Sequence, residues 1–178
     1  MRHVRMIGLG LCCTLLVACG RGDGLLRGER DGLFGGRDGP RESSEEPGLY
    51  PGETPQMRAL VNEYAARHGI PVALLHRVIQ RESDYRADAR NGPYYGLMQI
   101  LPETARTMGF QGAPADLMDA RTNLEYAGRY LRGAWLVSDG DIGAAVMWYA
   151  RGYYYEARDR CLLVETGLRS NEVARHCR

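Results

Sequence analysis

From residue 56 onward, apolar residues recur at three- and four-residue intervals in one segment after another, and no useful stretch alternates apolar with polar. Residues 56–68 carry Met57, Leu60, Val61, Tyr64 and Ala65 on one face and stop at Gly69. Pro71 suits the first turn of the next segment. Asn91-Gly92-Pro93 marks a turn, and residues 102–108 read as a short helix ended by Gly109. Residues 123–137 carry Leu124, Ala127, Leu131, Ala134 and Trp135 on one face, and residues 141–149 carry Ile142, Ala145, Val146 and Tyr149. A last helix is expected over residues 154–164. The fold expected is all-α, with residues 55–178 forming one domain and no internal repeat.

Within this pattern one residue is out of place. Winding residues 71–82 at about 100° per residue puts Val72, Leu75, Val78 and Ile79 within about 60° of one line. Glu82 falls in the middle of that stripe, whereas Arg77, Gln80 and Arg81 fall outside it. A carboxylate on a core-facing stripe loses hydration, which favours its neutral form. A carboxylic acid still protonated near neutral pH is what a general acid for glycosidic cleavage needs. The plainer alternative is a glutamate at a helix end that bends out to solvent. Asp84, Asp88, Asp116 and Asp119 read as turn or cap residues and Glu103 as a helix-start residue, so no second catalytic carboxylate stands out.

Residues 77–105 pair Glu82-Ser83 with Gly96-Leu97-Met98-Gln99-Ile100 and a Thr104-Ala105 helix start. Asn123-Leu124, Gly128, Tyr130-Leu131 and Trp148-Tyr149-Ala150-Arg151-Gly152 follow in order. Across residues 55–155 this resembles the family 1 lytic transglycosylases, whose fold is that of goose-type lysozyme. The resemblance implies a lysozyme-like helical domain that cuts the MurNAc–GlcNAc bond of peptidoglycan glycan strands and leaves 1,6-anhydro-MurNAc ends. It implies Glu82 as the one catalytic acid and base, with no cofactor and no metal. Gln99 is expected to bond an acetamido group and Met98 to pack on a sugar face. Tyr149 is expected to hydrogen-bond Glu82, and Ser83 either to bond near the Glu82 carboxyl or to cap the helix. Two departures stand out. Ala150-Arg151 replaces the usual Asn-Ala, and Tyr95 precedes Gly96 where a small residue or Met is common; Tyr94 and Tyr95 would narrow the groove or offer a stacking platform. The rival readings are a goose-type muramidase that uses water, and a wall-binding lipoprotein without turnover.

The first residues give the location. Arg2, His3 and Arg5 precede an apolar stretch from Met6 to Val17, too short for a stable membrane span, so residues 1–18 read as a signal peptide. Leu16-Val17-Ala18-Cys19 resembles a lipobox, which implies an acylated Cys19 as the new N-terminus; an ordinary secretory cleavage site is the alternative. Gly20 after that cysteine resembles lipoproteins sorted to the outer membrane, facing the periplasm. Residues 19–54 are rich in Gly, Arg, Asp and Glu and read as a flexible tether. Cys12 and Cys13 leave with the signal and Cys19 carries lipid. Cys161 and Cys177 remain, and they make a disulfide or stay two free thiols. His68, His76 and His176 are far apart and expected at the surface. With 23 basic and 22 acidic residues, the net charge of +1 gives no reason to expect nucleic acid. The membrane is met only through the lipid anchor, and the setting is left open among wall turnover, division and an envelope-spanning secretion machinery.

Overall fold

The computed structural model describes residues 48–177; the signal segment, Cys19 and most of the expected tether lie outside them. Helix α1 (Pro55–His68) is opened by Thr54, whose hydroxyl accepts the Met57 amide at 3.1 Å. It stops at Gly69, and after Ile70 and Pro71 the chain enters α2 (Val72–Ser83). A small antiparallel hairpin follows, β1 (Arg90–Asn91) against β2 (Tyr94–Tyr95), with Arg90 opposite Tyr95. Then come α3 (Pro102–Thr107) and a 3₁₀ turn over Pro114–Met118. Helix α4 (Ala120–Leu136) is capped by Asp119, which accepts the Thr122 amide at 2.8 Å. Helix α5 (Ile142–Arg151) is capped by Asp141 in the same way, and α6 (Tyr154–Asp159) follows.

Helix α4 is the central element and packs against α1, α3, α5 and the 3₁₀ turn, while α2 packs on both α1 and α5. The core between them is built from Leu74, Leu75, Val78, Ile79, Leu97, Leu124 and Leu131, all at most 1% exposed. Apart from the two-residue strands, every regular element among the described residues is helical, and the all-α expectation holds.

Four local expectations change. Val72, at the N-terminal edge of α2, stays 42% exposed, and Leu74 is buried in its place. His76 is buried instead of lying at the surface, because its Nδ1 lies 2.8 Å from the Tyr85 hydroxyl and 3.7 Å from Glu53. Burial pushes the His76 pKa down. His68 is also half-buried, its Nε2 2.9 Å from the Leu124 carbonyl, so among the described residues only His176 is an exposed histidine. Helix α6 ends at Asp159 and not near residue 164, since Cys161 takes a left-handed φ of 57° and turns the chain back.

The fourth change concerns residues 48–54, which the sequence assigned to the tether. They form a strap against the domain. Glu53 is buried, accepts the Tyr50 amide at 2.9 Å and takes the Arg58 guanidinium on both carboxylate oxygens. That guanidinium holds the Glu53 carboxyl below its ordinary range. The Tyr50 ring packs on His76 and Tyr85, with centroids 5.0 and 6.3 Å away. Backbone approach is close: a Cβ at Gly52 would sit 2.6 Å from the Asp84 carbonyl oxygen.

Cys161 and Cys177 form a disulfide with Cα atoms 5.4 Å apart. It closes the tail that returns from α6 through buried Leu163 and Thr166. The loop of 15 residues between them restricts the unfolded chain by about 3 kcal/mol. Replacing both cysteines by serine is therefore expected to lower unfolding free energy by about that amount. Urea denaturation of the two proteins measures it, and equal midpoints would show that the tail is held by its packing alone.

Candidate active site

Glu82 is the second-last residue of α2, one turn beyond Val78 and Ile79 on the buried face. The chain then reverses sharply: Asp84 and Tyr85, neither a glycine, both take left-handed φ values of 49° and 64°. Such conformations cost free energy at each residue and persist only where surrounding contacts dictate them. Here Ser83 and Tyr85 supply those contacts. The Ser83 hydroxyl donates to the Leu97 carbonyl at 2.7 Å, and Tyr85 is 5% exposed beside His76.

The segment from Tyr95 to Ile100 is a closed turn. Tyr95 and Ile100 exchange both backbone hydrogen bonds at 3.1 Å, and the Gly96 amide donates to the Ala89 carbonyl at 2.8 Å. Three helices fasten it by side chains. Ser83 of α2 binds the Leu97 carbonyl, and Tyr149 of α5 donates its hydroxyl to the Met98 carbonyl at 2.8 Å. Asn123 of α4 accepts the Met98 amide at 2.9 Å and donates to the carbonyls of Tyr95 and Leu117 at 2.9 and 2.8 Å. Gly96 has a φ of 75°, and a Cβ there would collide with the Asn123 amide and the Leu117 carbonyl. A glycine is required on both counts.

Glu82 opens into a cavity of about 480 Å³ whose walls come from α2, the hairpin, the turn, α3, α4 and α5. Tyr94, Gln99, Tyr130, Tyr149 and Thr104 line it, and Arg81 and Arg151 flank it. Glu82 is the one acidic residue among those lining it. The Glu82 side chain is 23% exposed, and its Oε1 lies 3.6 Å from Arg81 Nε. Burial raises its pKa, opposed by the Arg81 charge. Tyr149 is buried, and both burial and the nearby Glu82 charge push its pKa well up, so it stays a phenol.

The expected site residues divide into two groups. Glu82, Gln99 and Tyr149 meet at the cavity. Ser83 and Met98 do not: both are at most 2% exposed, and they support the turn from behind. The Ser83 hydroxyl does not bond the Glu82 carboxyl: it donates to the Leu97 carbonyl at 2.7 Å and lies 3.5 Å from the Ile79 carbonyl in the last turn of α2. Met98 cannot reach a sugar face, since it is 0% exposed in the core. Tyr95 is displaced from the cavity by the hairpin pleat, with Arg90 stacked 4.9 Å over its ring, and Tyr94 takes the lining position. The Tyr149 hydroxyl proton goes to Met98 and not to Glu82. Its oxygen can only accept from a protonated Glu82. Both amide hydrogens of Gln99 are used on the Ala89 and Gly96 carbonyls, so toward a ligand this side chain offers its oxygen.

Asn123 is the residue that the sequence reading placed in a helix but not at the site. The available signal is the one that marks Glu82, a polar side chain at the head of an apolar stripe, here Leu124, Ala127 and Leu131.

Residues 59–159, more than half of the chain, match the transglycosylase SLT domain. The chain belongs to that family, whose members are lytic transglycosylases acting on peptidoglycan in the cell envelope. No solved structure matches the chain. Among the described residues no helix is long and apolar enough to cross a membrane.

Asn123→Ala would leave the buried Met98 amide without its acceptor, which costs about 1–3 kcal/mol. The expected outcome is a destabilised domain that releases less soluble material from peptidoglycan, with Asn123→Asp intermediate because it keeps the acceptor oxygen. Urea denaturation and a peptidoglycan-release assay measure the two effects. An alanine variant as stable and active as the wild type would show that the turn holds its shape without this side chain.

Proposed function

We propose that Glu82 carries both proton steps of a non-hydrolytic cleavage of peptidoglycan. Its protonated carboxyl donates to the glycosidic oxygen as the bond from MurNAc C1 to that oxygen breaks. The carboxylate so formed then takes the proton of the C6 hydroxyl of the same MurNAc as that oxygen bonds C1. The 1,6-anhydro ring closes, the GlcNAc hydroxyl departs, Glu82 is again an acid, and no water is consumed.

The observation that supports this reading is Glu82 standing half-buried in its cavity as the one acidic lining residue. Hydrolysis by two carboxylates uses a second one about 5–9.5 Å away to act on water or on C1. The raised pKa suits the first step, because a larger fraction stays protonated near neutral pH than for an ordinary glutamate. Gln99 offers an acceptor for a sugar N–H, and Tyr94 offers an exposed ring.

Glu82→Gln matches the side chain in shape but can neither give nor take the proton. Activity on purified sacculi is expected to fall by at least about 10²–10⁴-fold, with the fold unchanged by circular dichroism. Mass analysis of wild-type products is expected to show ends lighter by one water. Ends of full hydrated mass would instead identify a muramidase, and normal release by the glutamine variant would remove Glu82 from the chemistry.

The anchor is part of the same proposal. Cys19, acylated after signal removal, would hold the enzyme at the outer membrane, and the residues before Gly48 would give it reach. Acyl chains contribute about 0.8 kcal/mol per buried CH₂, and more than one chain gives stable anchoring. Cys19→Ala is expected to move the protein from the membrane to the soluble periplasmic fraction. Fractionation with labelled palmitate tests this, and unlabelled, soluble wild-type protein would reduce residues 16–19 to an ordinary cleavage region.

A further inference from the structure

We infer that Arg151 is a specificity determinant that reads the carboxylates of the peptide stem borne by the MurNAc residue being cut. This inference rests on the proposed reading of Glu82.

The cavity is lined by one carboxyl group, that of Glu82, and by two guanidinium groups, those of Arg81 and Arg151. Before cleavage the proposed mechanism has Glu82 neutral, which leaves two guanidinium groups at a groove meant for a glycan whose sugar rings carry no charge. Peptidoglycan has anionic groups nonetheless. They lie on the stem peptide, which hangs from the lactyl ether at O3 of MurNAc, the sugar whose C1 bond is broken. A productive strand must therefore bring carboxylates close to the walls of this cavity.

The two arginines are not equivalent. Arg81 leans on Glu82, its Nε 3.6 Å from the carboxylate, and so is tied to the acid itself. Arg151, the last residue of α5, has its guanidinium carbon 4.0 Å from the Trp148 ring centroid. Stacking fixes the plane of a guanidinium and leaves its N–H edge free for a carboxylate. Among the described residues Arg151 forms no ion pair, while Arg129 on α4 and Arg160 just after α6, also exposed, are taken up by Glu125 and by Asp139 with Glu156. The sequence contains no lysine, so every cation that could take this role has the forked geometry suited to carboxylates.

The experiment compares glycan oligosaccharides of equal length, either bearing stem peptides or stripped of them by an amidase. Cleavage efficiency is measured on each, and binding to each is titrated with the Glu82→Gln protein. The wild type is expected to favour stem-bearing strands about five-fold, as an exposed charge pair allows. The preference should shrink as salt is raised. Arg151→Ala should erase it, Arg151→Glu should reverse it, and Arg151→Lys should keep part of it. Equal treatment of both strands by the wild type would overturn the inference, as would a preference unchanged in both the alanine and glutamate variants. A preference lost only in Arg81→Ala would move the role to that residue. If the wild type cuts neither strand, the proposed reaction fails, while the titrations still decide whether Arg151 reads the stem.

Discussion

The site depends on one buried amide. Asn123, 0% exposed, supplies an acceptor and two donors to three backbone groups of two separate segments: Met98 and Tyr95 in the turn, and Leu117 before α4. The Tyr95–Ile100 turn has too few residues to pack a core of its own, and its left-handed Gly96 and Gln99 give it no regular hydrogen-bond ladder. What orients it comes from outside, from Asn123, Ser83 and Tyr149 on three different helices. In a low-dielectric interior each of these bonds is stronger than in water, and each missing partner costs correspondingly more. Gly96 is the complement of this arrangement, since it leaves the space that the Asn123 amide occupies.

Burial sets the chemistry around Glu82 more than any ion pair does. It raises the carboxyl of Glu82 and the phenols of Tyr130 and Tyr149, and Arg81 offsets only part of the first effect. The cavity thus gathers neutral hydrogen-bonding groups around one acid. Tyr149 links this environment to the scaffold, because its hydroxyl holds the turn while its ring lines the cavity.

The helices were legible from the sequence because their signals are local. Apolar spacing places α1, α4 and α5 to within a few residues, and Gly69 marks the end of α1. The position of Glu82 was legible for the same reason, since one carboxylate on an apolar stripe is visible in a helical wheel. The second layer was not. Whether Ser83 faces Glu82 or Leu97, and whether Tyr94 or Tyr95 reaches the cavity, depends on the hairpin pleat and on contacts 14 to 51 residues apart in sequence. The strap failed for a different reason. Its glycines and charges look like a linker, yet Glu53 finds Arg58, and Tyr50 finds two aromatic rings, only once α1 and α2 are side by side. The end of α6 was missed because a left-handed Cys161, tied to Cys177, overrides a continuing helical pattern.

The strap also decides where the domain bears mechanical load. A pull on the chain upstream of Gly48 does not reach α1 at its Thr54 cap. It arrives first where Arg58 donates to the Gly48 carbonyl, then at the seat of Tyr50 on His76 and Tyr85, and then at the clasp of Glu53 with Arg58. Gly52 lies against the backbone of Asp84, two residues beyond Glu82, where the chain is already held in a left-handed bend. An enzyme working on a taut polymer while held from its N-terminal side would carry that tension across the back wall of its own catalytic helix. The clasp, two charge-assisted hydrogen bonds from Arg58 to Glu53, is what would keep such a pull from peeling residues 48–53 away toward α1.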